Sequence, residues 1–185
     1  MNSKRRNAMK FSLACAASLL CVSTASFGAS LNSKEKNMQK CVYIVHGYDA
    51  SPKSHWFAWL KGEIEKSGAR VEILTMPTPA HPKLDEWLKT LRESVKFEGE
   101  VYLVGHSLGC PTILNFLQSS AASGAVEGVV LVSGLAKPLS DPQFKILDEF
   151  MDKGFDFGRI KAAAKQRAVI AAKDDYIVPF SFSRE

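Results

Sequence analysis

From residue 40 onward the chain alternates between two kinds of segment, and that alternation narrows its fold more than any other feature. Short apolar runs rich in β-branched residues stand at residues 41–45, 71–74, 101–104, 129–132 and 168–172. Segments with helical spacing lie between them. In "HPKLDEWLKTLRESV", Leu84, Trp87, Leu88, Leu91 and Val95 fall on one helix face, with Pro82 suited to the first turn. Ser51-Pro52 can open a helix that buries Trp56, Phe57, Leu60 and Ile64 and stops at Gly68. A third helix follows residue 109 and buries Ile113, Leu114 and Leu117. Strands alternating with helices of this length predict a parallel sheet covered on both faces. Strands buried on both sides read as continuous apolar runs, which is what these are. The expected fold is α/β: a three-layer sandwich on a parallel sheet of about five strands, formed by a single domain over residues 40–185. The segment 135–160 is the least regular, and it is expected to cover the site.

The 185 residues carry a formal charge of +5, but four of those charges, Lys4, Arg5, Arg6 and Lys10, sit within the first 28 residues beside no acid, leaving +1 for the rest. A basic pI of this origin gives no reason to propose nucleic-acid binding. The leader has the order of a secretory signal: a basic start, an apolar run over residues 11–22, then small residues. Ser23 with Ala25, or Ser26 with Gly28, fit the small subsites of a signal peptidase. The run is too short to span a membrane comfortably. Residues 1–28 are therefore expected to be a signal peptide and the protein secreted or periplasmic. A cytoplasmic protein starting at Met38 is the alternative. Of the four cysteines, Cys15 and Cys21 lie in the leader, while Cys41 and Cys110 read as small buried residues. No Cys or His spacing suits zinc, so neither metal nor cofactor is expected.

The chemistry is concentrated in "VYLVGHSLGC", residues 101–110, where a strand runs directly into G-H-S-L-G. A serine on so sharp a turn takes strained dihedrals, and a side chain at either glycine would strike neighbouring elements. The turn lifts the Ser107 hydroxyl above the carboxyl ends of the strands, where parallel sheets bind ligands. It also sets the Leu108 amide at a helix N-terminus, ready to stabilise an oxyanion.

"YIVHGYDASPKSHWFAWL", "VYLVGHSLGCPTILNFL", "VVLVSG" and "FGRIKAAAKQRAVIAAKDDYIVP", in that order, resemble the α/β-hydrolases. More narrowly, they are similar to the small serine hydrolases of the YdeN and retinoblastoma-binding protein 9 type. The resemblance implies strand order 2-1-3-4-5 and an acyl-enzyme mechanism on small esters or other acyl substrates, with Ser107 as nucleophile. It implies that Tyr48 or its neighbour gives the second oxyanion amide, and that His46 shapes the loop. The acid follows the last strand, where Asp174 and Asp175 compete. The family pattern picks Asp175 as the orienting acid and leaves Asp174 to hydrogen-bond the loop.

The chain order in this fold is serine, acid, then histidine. Here all four histidines, at 46, 55, 81 and 106, precede Ser107, and the sequence ends ten residues after Asp175. His55 is read as facing away from a helix start, and His106 as projecting differently from its neighbour Ser107. The base, the final strand and the last helix are expected to be missing, as in a truncated family member with little activity. A non-catalytic binding protein, or a non-functional fragment, that retains the pocket is the alternative. The substrate, the oligomeric state and any protein partner are not legible.

Overall fold

The computed structural model describes residues 39–119 and 126–184, so the expected signal peptide lies outside the described residues. Five strands form one sheet: β1 (Lys40–Val45), β2 (Arg70–Leu74), β3 (Glu100–His106), β4 (Val126–Val132) and β5 (Ala164–Ile170). Every pairing is parallel, as the alternation of strands and helices predicts, and the order is β2-β1-β3-β4-β5, as the family resemblance implies. Parallel strands need crossovers, so all carboxyl ends fall on one edge and all amino ends on the other.

Alternate residues of the central strands feed two cores. Cys41, Tyr43, Val45, Val101 and Leu103 join one; Val42, Ile44, Tyr102 and Val104 join the other. The first core is closed by α2 (Leu84–Ser94), through Trp87 and Leu91, and by α3 (Gly109–Gln118), in which every residue from Gly109 to Leu117 is buried. The second is closed by α1 (Phe57–Glu65), which buries Phe57, Leu60 and Ile64. Period-two burial on both faces explains why these strands read as unbroken apolar runs.

Three boundaries differ from the sequence reading. Helix α1 begins at Phe57, because residues 51–54 form a local turn instead. Ser51 N–H donates to Ser54 Oγ at 3.0 Å and Lys53 N–H to Ser51 Oγ at 3.3 Å. Such side-chain bonds compete with helix initiation. Strand β5 runs from Ala164 to Ile170, not over 168–172, and its outer position leaves Lys165, Gln166 and Arg167 exposed. Within 135–160 the chain is more regular than expected. A 3₁₀ helix (Pro142–Phe150) starts at Asp141, whose carboxylate accepts from Gln143 N–H, and α4 (Phe157–Ala163) starts at Asp156, which accepts from Arg159 N–H. A second 3₁₀ helix (Phe180–Arg184) ends the described chain.

Because Leu103 is fully buried between β1 and β4, Leu103→Ala should lower the unfolding free energy by about 2–5 kcal/mol in urea titration. Lys89→Ala, on the solvent side of α2, should change it by less than about 0.5 kcal/mol.

Candidate active site

Ser107 occupies the turn between β3 and α3 with φ +51°, a left-handed conformation that a residue with a Cβ rarely adopts. The surroundings hold it there. A Cβ on Gly105 would lie 3.0 Å from the backbone of Gly109 and Cys110, and one on Gly109 would lie 2.3 Å from the Val45 carbonyl oxygen. The start of α3 therefore packs against the end of β1 with no room for a side chain. Ser107 N–H donates to Val132 O at 2.9 Å, and Ser133 N–H to Ile170 O at 2.8 Å, so bonds of the sheet continue past the ends of β3 and β4. Leu108 follows as the N-cap of α3 and is fully buried.

The loop after β1 lies against this turn. A Cβ on Gly47 would come within 2.9 Å of Ser107 Cβ. Tyr48 is half-buried, its ring edge-on to Phe144 of the first 3₁₀ helix with centroids 6.3 Å apart. Segment 135–160 thus reaches Tyr48, in keeping with a covering role. Asp49 N–H donates to Pro79 O at 2.8 Å, tying the loop to the segment after β2. Among the described residues, neither the Tyr48 nor the Leu108 N–H is taken by another group.

His46 is 1% exposed, and both its ring nitrogens are engaged. Met76 N–H donates to Nε2 at 3.2 Å, and Nδ1 is 2.9 Å from Gly47 O. Nε2 must be bare to accept, so Nδ1 carries the proton and donates it to Gly47. Burial lowers the His46 pKa, the bond to Gly47 opposes that, and His55 adds to the lowering. With neither nitrogen spare, His46 is unavailable to Ser107 as a base.

The sequence reading of His55 needs correction. Its φ of +54° turns the residue back, and its ring packs on His106 with centroids 4.8 Å apart. Trp56 and Phe57 complete this aromatic cluster, their rings 5.7 and 5.6 Å from His106. The left-handed backbone at residue 55 carries no sequence signal, since histidine has no special need of it. His106 is largely buried and its Nδ1 has no partner among the described residues. Burial pushes its pKa down to about 3, with His55 and His46 adding to that and the Asp175 carboxylate opposing it. Asp175 is therefore close enough for its charge to be felt beside Ser107.

The two aspartates also divide their work differently from the expectation. Asp175 is the one that bonds the loop, its Oδ1 accepting from Ile177 N–H and Val178 N–H at 3.0 Å each, while Asp174 is exposed. A carboxylate has a second oxygen, so this bonding holds Asp175 in place without consuming it. Cys110 is buried against Val132 O, and burial pushes its thiol up to about 12, which leaves it unreactive. Among the described residues, no cluster of His, Cys, Asp and Glu is placed to hold a metal ion, and no helix is long and apolar enough to cross a membrane.

The family model described as "Serine hydrolase" matches residues 42–185, well over half of the chain. The chain belongs to that serine hydrolase family. YdeN of Bacillus subtilis (strain 168), described as a hydrolase, is 50% identical over 149 residues, covering 80% of this chain and 77% of YdeN. The crystal structure of the ydeN gene product superposes with a TM-score of 0.72 at 49% identity, covering 79% of this serine hydrolase and 78% of that chain. Est1E from Butyrivibrio proteoclasticus, at 12% identity and a TM-score of 0.59, shares the fold over 82% of this chain and 74% of its own.

Three neutral-leaning histidines at this edge make stability depend on pH. The folded pKa values of His46, His55 and His106 lie below the usual 6.5. Below that pH the unfolded chain takes up protons that the folded chain refuses, so stability is full above 6.5 and is lost as pH falls towards the folded values. His106 alone should remove on the order of 2 kcal/mol between pH 7 and 5. Urea titrations at pH 7, 6 and 5 should show that loss, and His106→Gln should reduce the slope by close to one proton. A flat profile would contradict the placement of these rings.

Proposed function

We propose that Ser107 is the nucleophile of an acyl-transfer reaction on small esters or related acyl compounds. The observation that carries this reading is the serine at φ +51° on a strand-to-helix turn whose two flanking glycines leave no room for a side chain. In the reaction, Oγ bonds to the acyl carbon as its proton passes to a base, and the carbonyl oxygen becomes an oxyanion facing the Leu108 and Tyr48 amides. Collapse expels the alcohol with a proton from that base, and water then releases the acid and restores the serine. Asp175 is the acid that would orient the base. Membership of the serine hydrolase family supports the reading.

The 185 residues hold no histidine after Asp175, and upstream His46 has both ring nitrogens engaged. The chain in this form should therefore turn over poorly. An unassisted serine hydroxyl, with a pKa far above neutrality, is a weak nucleophile even beside good oxyanion donors. Hydrolysis of p-nitrophenyl acetate should barely exceed that of Ser107→Ala. Appending a strand, a G-H turn and a helix should raise it by on the order of 10⁴. Asp175→Ala should then remove most of the gain and Asp174→Ala much less. Ser107-dependent turnover without the extension would mean that an upstream histidine serves as base, and His55→Ala and His106→Ala would be the first variants to compare.

The leader supports export as the second part of the proposal, with a cytoplasmic product from Met38 as the competing outcome. Mass spectrometry of the native protein should find its N-terminus between residues 26 and 31. An intact Met1 form in the cytoplasm would overturn export.

A further inference from the structure

We infer that Ser133 is a second hydroxyl of the candidate active site, a substrate-contacting residue on the side from which the alcohol leaves; the inference rests on the acyl-transfer reading above. Its place follows from the sheet. Strands β3 and β4 run in parallel register, Gly105 beside Leu131 and His106 beside Val132, so the next residues in line are Ser107 and Ser133. The bond from Ser107 N–H to Val132 O, 2.9 Å, carries that register past the strand ends. Neighbouring strands lie about 4.8 Å apart, which sets the spacing of the two backbones. Register partners in a parallel sheet send their side chains to the same face. Both serines also turn left-handed, at φ +51° and +47°, and the N–H of Ser133 bonds Ile170 O just as that of Ser107 bonds Val132 O. A glycine without room for a side chain follows each turn. A Cβ on Gly134 would lie 3.0 Å from Cys110 Cβ, and one on Gly109 would lie 2.3 Å from Val45 O. The turn of the nucleophile is thus made twice along one edge.

Packing does not account for the Ser133 side chain. Glycine adopts a positive φ freely, whereas serine does so at a cost. The residue is half-buried, and among the described residues its Oγ makes no hydrogen bond. A hydroxyl kept at a strained turn, beside the nucleophile and unbonded to the protein, is open to a ligand. The strand order says which part of the ligand it meets. Along β2-β1-β3-β4-β5, the Tyr48 loop leaves β1 on one side of Ser107, and Ser133 and then Asp175 follow β4 and β5 on the other. With its carbonyl oxygen turned to the Leu108 and Tyr48 amides, the tetrahedral carbon directs another substituent to the β4 side. The alcohol oxygen takes its proton from a base oriented by Asp175, so it is the alcohol oxygen that faces this side. Ser133 Oγ–H donates a hydrogen bond to that oxygen as the C–O bond breaks. The proton that completes the alcohol still comes from the base, and Ser133 keeps its own.

The test uses the full chain and two boron probes. Phenylboronic acid adds to Ser107 Oγ: the O–B bond forms, the hydroxyl proton passes to buffer, and the boron becomes tetrahedral with two hydroxyl groups. One of these faces the amides and the other Ser133. Diphenylborinic acid forms the same bond but leaves a single hydroxyl, for the amides alone. Affinities are read by titration, with ¹¹B NMR reporting the tetrahedral adduct. Ser133→Gly, which takes the left-handed φ without strain, should bind phenylboronic acid roughly 3–10-fold more weakly and diphenylborinic acid as the native chain does. Native affinity for phenylboronic acid in Ser133→Gly, or equal loss with both probes, would overturn the inference. If Ser133→Gly does not fold, Ser133→Ala decides by the same two affinities. Ser107→Ala should abolish the tetrahedral signal. A signal that survives in Ser107→Ala sinks the acyl-transfer reading and the inference with it. A signal lost there but unchanged in Ser133→Gly sinks the inference alone. If neither probe binds the native chain, the inference falls, and fluorophosphonate labelling of Ser107 judges the acyl-transfer reading separately.

Discussion

The start of α3 rests on the end of β1, and a Cβ at Gly109 would lie 2.3 Å from the Val45 carbonyl oxygen. The tight turn at Ser107, φ +51°, lies directly before this contact. The same approach brings Gly47 against Ser107 Cβ, so one backbone contact places the serine and the neighbouring loop together. The sheet sustains that contact. Its five parallel strands are bonded past their ends through Ser107 to Val132 and Ser133 to Ile170, which leaves the edge little freedom to relax.

Backbone strain is distributed unevenly across the molecule. Among the described residues, the five non-glycine residues with positive φ are Asp49, His55, Thr78, Ser107 and Ser133, all in loops that leave the carboxyl ends of β1 to β4. Gly68 and Gly99, which also have positive φ, lie on the opposite edge, before β2 and β3. On that edge the strained positions are filled by the residue that tolerates them; on the carboxyl edge they are not. Each non-glycine instance costs roughly 1–2 kcal/mol, which the buried sheet must offset. Strain that glycine could relieve, yet is retained, marks an edge where side chains are required, and that edge holds Ser107 and His55.

What was legible in the sequence follows the same division. The central strands and α2 and α3 could be read because burial on two faces, or on one helix face, writes a period into the sequence. Strand β5 was misplaced because an outer strand buries little, and Lys165, Gln166 and Arg167 break the apolar run. The start of α1 was misread because serine hydroxyls at 51 and 54 capture backbone amides in competition with the helix. Ser107 and Leu108 could be nominated because their chemistry is local to a turn, whereas Tyr48 or its neighbour was implied only by the family resemblance. The orientation of His55 could not, since it depends on a left-handed φ that nothing in its neighbours announces. The loop bonds of Asp175 were assigned to its neighbour for a similar reason: two adjacent aspartates are identical until a fold directs one carboxylate back onto its own turn.

The electrostatics of the edge come from backbone groups more than from side-chain charge. Burial keeps His46 and His106 neutral near pH 7, and the packing of His55 lowers its pKa as well. No imidazolium is thus offered at this edge in that range, and under the acyl-transfer proposal the Leu108 and Tyr48 amides would meet the developing oxyanion. Amide dipoles suit that role because their strength does not change with pH and they need no reorientation when charge appears. Their direction, however, has to be built in beforehand. At Leu108 the beginning of α3 supplies it. At Tyr48 the peptide is held by the bond from His46 Nδ1–H to the Gly47 carbonyl oxygen. A neutral histidine is required for this, since protonation of Nε2 would set two donors, the ring and Met76 N–H, against each other. Burial therefore acts twice at His46: it excludes the ring from proton transfer, and it preserves the tautomer through which the loop is aligned.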